Sequence, residues 1–305
     1  MAEMEKDIVT LRLKPRDRAG QELMPWGRAE PEMKIEIGTS SIIGTRKNQE
    51  DTIFGYGSGR EAIALVCDGM GGLSGGELAS KAAAESLADA WFGRKGTVDI
   101  PEFLEEEALR ADEKVFQQKN EKGERIRAGT TIVAAIIRGN ELYWLSVGDS
   151  KIYIIRGEEI LSVCREHNYR LTLNQQLENG ELTPEEYAAE EYRAEALISY
   201  LGMGNVPLMD LNRQPFLLED GDIILLSSDG LYRSLAEKEI FSLVKEFGRD
   251  MQEAADALTS AALGMKQSGQ DNTSVVLMRY SLSGREEGQD KDRNMGGKQD
   301  EFKKM

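Results

Sequence analysis

Apolar residues along this chain fall in short alternating or continuous runs, and nine of these read as strands: about 34–43, 52–57, 62–67, 130–138, 141–147, 151–156, 214–218, 222–228 and 273–280. Gly139-Asn140 between two such runs predicts a tight hairpin. A longer period appears at 76–92, where Leu78, Ala82, Ala83, Leu87 and Trp91 form a helical stripe. Residues 101–119 follow as a second helix, with Pro101 in its first turn and Phe103, Leu104, Leu109, Val115 and Phe116 on one side. A second helical pair is predicted at 236–247 and 250–266. Hairpins set between pairs of helices point to antiparallel sheets with helices outside, not to strand–helix crossovers.

Three stretches break this pattern. Residues 167–200 are polar and helix-prone, with Leu173, Leu177, Leu182 and Tyr187 as apolar anchors, and predict a small insertion over the edge of the body. Residues 1–33 are cut by Pro15, Gly20, Pro25, Gly27 and Pro31 and predict an arm anchored by Trp26. Residues 283–305 are charged and glycine-rich and predict a disordered tail, leaving 34–282 as the body.

Composition narrows the function classes. With 305 residues, 40% hydrophobic and 30% charged, the chain has the make-up of a globular protein. A net charge of −16 argues against nucleic acid or an anionic membrane as main partner. Two cysteines give no disulfide framework, and neither a signal-like start nor an 18-residue apolar run is present; the expectation is a cytoplasmic protein without membrane insertion.

The chemistry begins at Ile63–Gly72, where an apolar run delivers Asp68 into the glycine-rich turn Gly69-Met70-Gly71-Gly72. Apolar strands avoid charge, so an aspartate at the exit is there for a cap or for a cation. The same arrangement recurs at Leu225–Gly230 with Asp229 and at Leu145–Ser150 with Asp149. Taken singly each aspartate is more often a cap or turn residue than a ligand. Together they suggest an oxygen-ligand cluster for hard divalent ions.

Read in order, R-x-N-Q-E-D (from Arg46), D-G-M-G-G (from Asp68), A-G-T-T (from Ala128), V-G-D-S (from Val147), S-D-G-L (from Ser228) and Q-D-N-T (from Gln270) resemble the successive motifs of the metal-dependent type 2C protein Ser/Thr phosphatases of bacterial type, across about residues 36–281. The resemblance implies an α+β fold, a four-layer α/β/β/α sandwich of two antiparallel sheets flanked by helices. It implies hydrolysis of phosphoserine and phosphothreonine in proteins, with a Ser/Thr kinase and its substrates as partners. Two Mn²⁺ or Mg²⁺ ions would acidify a bridging water and stabilise the attacking and leaving oxygens. Asp68 would bridge them, with the Gly69 carbonyl on one and Asp229 and Asp271 on the other; Glu50 and Asp51 would act at the edge through waters, with Asn272 beside them. Arg46 would fork onto the substrate phosphate. The insertion would shape substrate access.

Four positions depart from the pattern or stay open. Asp149 is either a ligand of a weaker third ion, shared with Asp229, or a turn residue. Where the family often has a further aspartate this chain has Arg233, which weakens or rebuilds that third site. Met70 stands where some relatives have a proton-donating histidine. The single histidine, His167, is either a general acid or a hydrogen-bonded residue at the root of the insertion. Two rivals compete with the phosphatase: a pseudophosphatase that binds phosphoproteins without turnover, and a nucleotide-binding oxidoreductase on the glycine loop. The second is disfavoured because Ser74 replaces the last glycine of the fingerprint and Asp68 would repel a pyrophosphate.

Overall fold

The computed structural model describes residues 32–71, 75–120, 122–265 and 269–283. All but the last two residues of the expected arm, with Trp26, lie outside them, as do Gly72 and Ser74 and the tail from residue 284. Residues 35–281 form one compact unit. In chain order the elements begin with β1 (Glu32–Ile42), β2 (Asp51–Ser58) and β3 (Glu61–Met70), followed by α1 (Gly75–Gly93) and α2 (Ile100–Phe116). Then come β4 (Gly129–Thr130), β5 (Ile132–Arg138), β6 (Glu141–Val147), β7 (Lys151–Arg156) and β8 (Glu159–Ser162). After α3 (Tyr169–Glu178) and α4 (Pro184–Glu190) the chain continues with β9 (Asp210–Leu211), β10 (Phe216–Leu217) and β11 (Ile223–Ser227). It closes with α5 (Asp229–Tyr232), α6 (Glu237–Phe247), α7 (Met251–Gly264) and β12 (Thr273–Ser283).

Two antiparallel sheets result. One has the order β1-β12-β11-β7-β8; the other runs β10-β6-β5-β3-β2, with β4 on β3 and β9 on β6. Alternation along each strand decides which layer a side chain enters. Ile63, Leu65 and Cys67 of β3 meet Ala79, Ala83 and Leu87 of α1 and Leu104 of α2. Tyr153, Leu225 and Leu277 meet Ile240, Val244 and Leu258 of α6 and α7. The alternate residues, among them Ala64, Val66, Ile224, Leu226 and Val276, are also buried and face between the sheets. The sheets approach closely there: a Cβ on Gly55 of β2 would lie 2.9 Å from Ile37 and 3.2 Å from Val276. This is the expected α/β/β/α sandwich, and no helix among the described residues is long and apolar enough to cross a membrane.

Local signals fix the starts of two helices. Asp99 caps α2 by accepting from the Glu102 amide, and Pro101 sits in its first turn. Thr183 and Glu186 form a reciprocal capping box ahead of α4. Three expectations change. Leu78 and Leu109 are 46% and 49% exposed, the buried face of α1 running instead through Ala79, Ala83, Leu87 and Trp91 and that of α2 through Leu104, Ala108, Ala111 and Val115. The strand expected over 214–218 shortens to the two residues of β10. Residues 167–200 fold as α3, α4 and a 3₁₀ turn at Glu191–Arg193, pinned by buried Leu173 and Ala194, while Leu177 is exposed.

Candidate active site

The site is assembled where strands end at one edge of the sandwich. In the β2–β3 ladder Asp51 lies directly opposite Asp68. Asp229 opens α5 straight after β11, Asp271 and Asn272 precede β12, and Asp149 sits in the turn from β6 to β7. A cleft of about 640 Å³ is lined by Arg46, Glu50, Asp68, Asp149, Asp229 and Asp271, with Gly69 and Asn272 also in its wall. Every predicted site residue except Asp51 therefore lines a single cleft. Asp51 stands behind that wall, 7% exposed.

Hydroxyl groups hold the backbone at Asp68 and the carboxylate of Asp51 in place. The Asp68 amide donates to Thr131 Oγ1 at 3.0 Å, while its carbonyl accepts from the Thr131 amide at 2.9 Å and the Thr130 hydroxyl at 3.0 Å. Thr131 Oγ1 meets Ser150 Oγ at 2.7 Å. Ser228 donates to Asp51 Oδ2 at 2.8 Å and accepts from the Ser274 amide at 3.0 Å. The A-G-T-T, V-G-D-S and S-D-G-L motifs thus supply serines and threonines whose task is to fix acidic neighbours. In the sequence these hydroxyls carry no signal beyond their adjacency to strand-end aspartates.

Close packing explains the glycine after Asp68. Its amide donates to the Glu50 carbonyl at 3.1 Å, and a Cβ there would lie 2.1 Å from the Gly76 carbonyl oxygen. Only glycine fits between the loop and the start of α1. Glu50 sits against that helix start: a Cβ on Gly76 would be 2.7 Å from Glu50 Oε1. Asn272 knots the loop before β2, accepting from the Glu50 amide and donating to the carbonyls of Ile43 and Asn48.

Electrostatically the cleft is under load. Burial, then the charges of Asp51, Asp229, Asp149 and Asp271, pushes Asp68 well above the ordinary carboxylate range. Burial likewise raises Asp51 to about 7 against hydrogen bonds from Ser274 and Ser228, and raises Asp149 to about 7 with help from Asp229 and opposition from Arg233. Asp229 and Glu50 are raised too, first by burial. Two arginines compensate from within the chain. Arg46 Nη2 lies 2.5 Å from Asp271 Oδ2. Arg233 reaches Asp229 Oδ2 at 3.1 Å, Asp149 Oδ2 at 3.5 Å and Glu195 Oε2 at 3.4 Å.

The donor set suits a hard divalent cation. The carboxylates and the Gly69 carbonyl are oxygen ligands, and Asp229 Oδ1 and Asp51 Oδ1 are buried without a hydrogen-bond partner. Among the described residues no three His, Cys, Asp or Glu groups stand close enough together to hold a metal ion as placed, and Arg46 and Arg233 engage oxygens of Asp271, Asp149 and Asp229 there. His167 takes no part. It is fully buried, its Nδ1 accepts from the Gly148 amide at 3.2 Å, and its Nε2 lies 3.3 Å from Asp210. Of its two readings, the one at the root of the insertion fits. Glu195 and Leu197 of the insertion also line the cleft, which no local signal in that glutamate-rich stretch announced.

The comparisons agree with this architecture. The family profile described as Protein phosphatase 2C matches residues 37–265. The protein phosphatase PhpP of Streptococcus pneumoniae is 30% identical over 80% of this chain and 97% of its own. The Streptococcus agalactiae serine/threonine phosphatase structure superposes with a TM-score of 0.69, at 26% identity over 80% of this chain and 99% of its own. The catalytic domain of the serine/threonine protein phosphatase PstP, solved in complex with 2 manganese ions, gives a TM-score of 0.65 at 25% identity, over 82% of this chain and 99% of that one. With both the sandwich and the carboxylate cleft in place, the chain belongs to the protein phosphatase 2C family and is a protein serine/threonine phosphatase of bacterial type.

Proposed function

We propose that the chain hydrolyses phosphoserine and phosphothreonine in proteins with the help of two divalent cations, Mn²⁺ or Mg²⁺, in opposition to a cytoplasmic Ser/Thr kinase. The observation that carries the reading is Asp229 Oδ1, buried without a partner in a cleft whose other donors are Asp68, Asp271 and a backbone carbonyl. Asp68, Gly69, Asp229 and Asp271 would hold the ions, with Asp149 beside Asp229 as ligand of a weaker third. When bound, such a pair supplies positive charge for the phosphoryl oxygens and a water acidic enough to attack at neutral pH.

The remaining work falls to this chain's own groups. Arg46 is tethered to Asp271 through Nη2, which leaves other donors of its guanidinium fork for two phosphoryl oxygens. Thr130 and Thr131 fix the backbone at Asp68, so the carboxylate meets its charge partners without reorganising. Glu50 and Asp51 set the field at the edge, and Asn272 fixes the loop that carries Arg46 and Glu50. Met70, lining the same cleft, has a thioether with no proton to give, so the departing seryl or threonyl oxygen is protonated from water. The test is phosphate release from a phosphothreonine peptide: it should require Mn²⁺ or Mg²⁺ and vanish in Asp68→Ala.

A second reading, a catalytically weak phosphoprotein-binding module, is favoured by the Arg233 contact with Asp229 Oδ2. Binding of that peptide without turnover at saturating Mn²⁺ would select it.

A further inference from the structure

Arg233 joins three parts of the molecule at the cleft. It follows the last residue of α5, and its side chain is 44% exposed. One guanidinium serves three carboxylates from three separate segments: Asp229 at the start of α5, Asp149 in the turn from β6 to β7, and Glu195 on the return of the insertion. Two of the three, Asp149 and Asp229, are 5% and 8% exposed. Glu195 is itself shared: its Oε1 accepts from Arg170 Nη2 of α3 at 2.7 Å, and Arg170 also meets Glu191 at 3.3 Å. Charges therefore alternate from helix α3 through Glu195 and Arg233 to the wall of the cleft.

One positive charge against three negative ones sets up a competition. A divalent ion entering at Asp229 needs the electron pairs that Arg233 now draws on. A displaced guanidinium on a long side chain keeps Glu195 as its remaining partner. Building on the metal-dependent reading above, we propose that Arg233 is a positioning residue which exchanges Asp149 and Asp229 for Glu195 when a cation binds, so that metal binding draws the return of the insertion onto the cleft. The coupling is reciprocal: whatever holds Glu195 on Arg233 must tighten the cation by the same factor.

The test is Mn²⁺ binding to the full chain without substrate, followed by titration calorimetry, with amide exchange over residues 169–195 in parallel. Arg233→Gln removes the competitor and should tighten Mn²⁺; Glu195→Gln removes the alternative partner and should weaken it, each by about two- to fivefold, the range of exposed ion pairs. In the double variant the Glu195→Gln effect should disappear, and Arg233→Lys should retain part of it. Exchange over the insertion should slow with Mn²⁺ in the parent chain and lose that response in Arg233→Gln. A Glu195→Gln effect that persists without Arg233, or no effect at all, overturns the proposal while leaving metal binding intact. A parent chain that binds no Mn²⁺ overturns the phosphatase mechanism instead.

Discussion

The Thr131 hydroxyl meets two groups on different strand ends, the Asp68 amide and the Ser150 hydroxyl, in a place where both Thr131 and Ser150 are shut off from water. Thr131→Val keeps the shape and strands that amide, which should cost about 1–3 kcal/mol of unfolding free energy in a denaturant titration; Thr131→Ser should recover most of it. Asp210 gives a residue-scale prediction in pH. Burial pushes its carboxyl up, but hydrogen bonds from His167 and Arg165 outweigh burial and hold it below the ordinary value of 3.8. A depressed carboxyl stabilises the fold above its unfolded pKa and loses that contribution as pH falls through the folded one. Comparing urea midpoints of the parent and Asp210→Asn, the gap should be full at pH 5 and shrink below pH 3.8. A gap that widens on acidification contradicts the assignment.

Elements separate what the sequence disclosed from what it hid. Periodicity found β3, β5 and β11 because each carries an unbroken apolar run that must be covered on both faces. It missed β8 and β9, which are short and only half-buried, held mainly by pairing with strands already in place. It misplaced Leu78 because an alanine-rich helix offers too weak a contrast to orient its stripe. The consequence is measurable within α1. Leu87→Ala empties a fully buried place and should cost about 2–5 kcal/mol. Leu78→Ala should stay within about 0.5 kcal/mol, both read from chemical denaturation. The site was legible as far as motifs run along single segments: Arg46, Asp68, Asp229 and Asp271 share one cleft. What Glu195 and Arg233 do was not, since it depends on how the insertion returns to the body, and that is a property of tertiary packing.

The whole molecule places its acidic excess unevenly, with several strand-end carboxylates facing one cleft and compensated there by Arg46 and Arg233. A cation that binds only the folded chain should raise its melting temperature, worth about 2.7 kcal/mol at a hundred times its dissociation constant. Scanning calorimetry with Mn²⁺ against EDTA should show that rise in the parent chain. Asp68→Asn should abolish the response and melt no lower than the parent in EDTA, because it replaces a carboxyl whose ionisation burial and four acidic neighbours oppose. The β2–β3 ladder that sets Asp51 against Asp68 ends at the Gly59-Arg60 turn, where a Cβ on Gly59 would meet nothing within 4 Å. That hairpin works as a ruler whose tip stands clear at Gly59, while the Arg60 carbonyl holds the Gly139 amide at 2.8 Å. An extra peptide spliced in at Gly59 leaves every rung unshifted, so a fluorescent or affinity tag can be carried there, whereas deleting a single residue inside β2 turns its faces over and dismantles the chemistry at the far end.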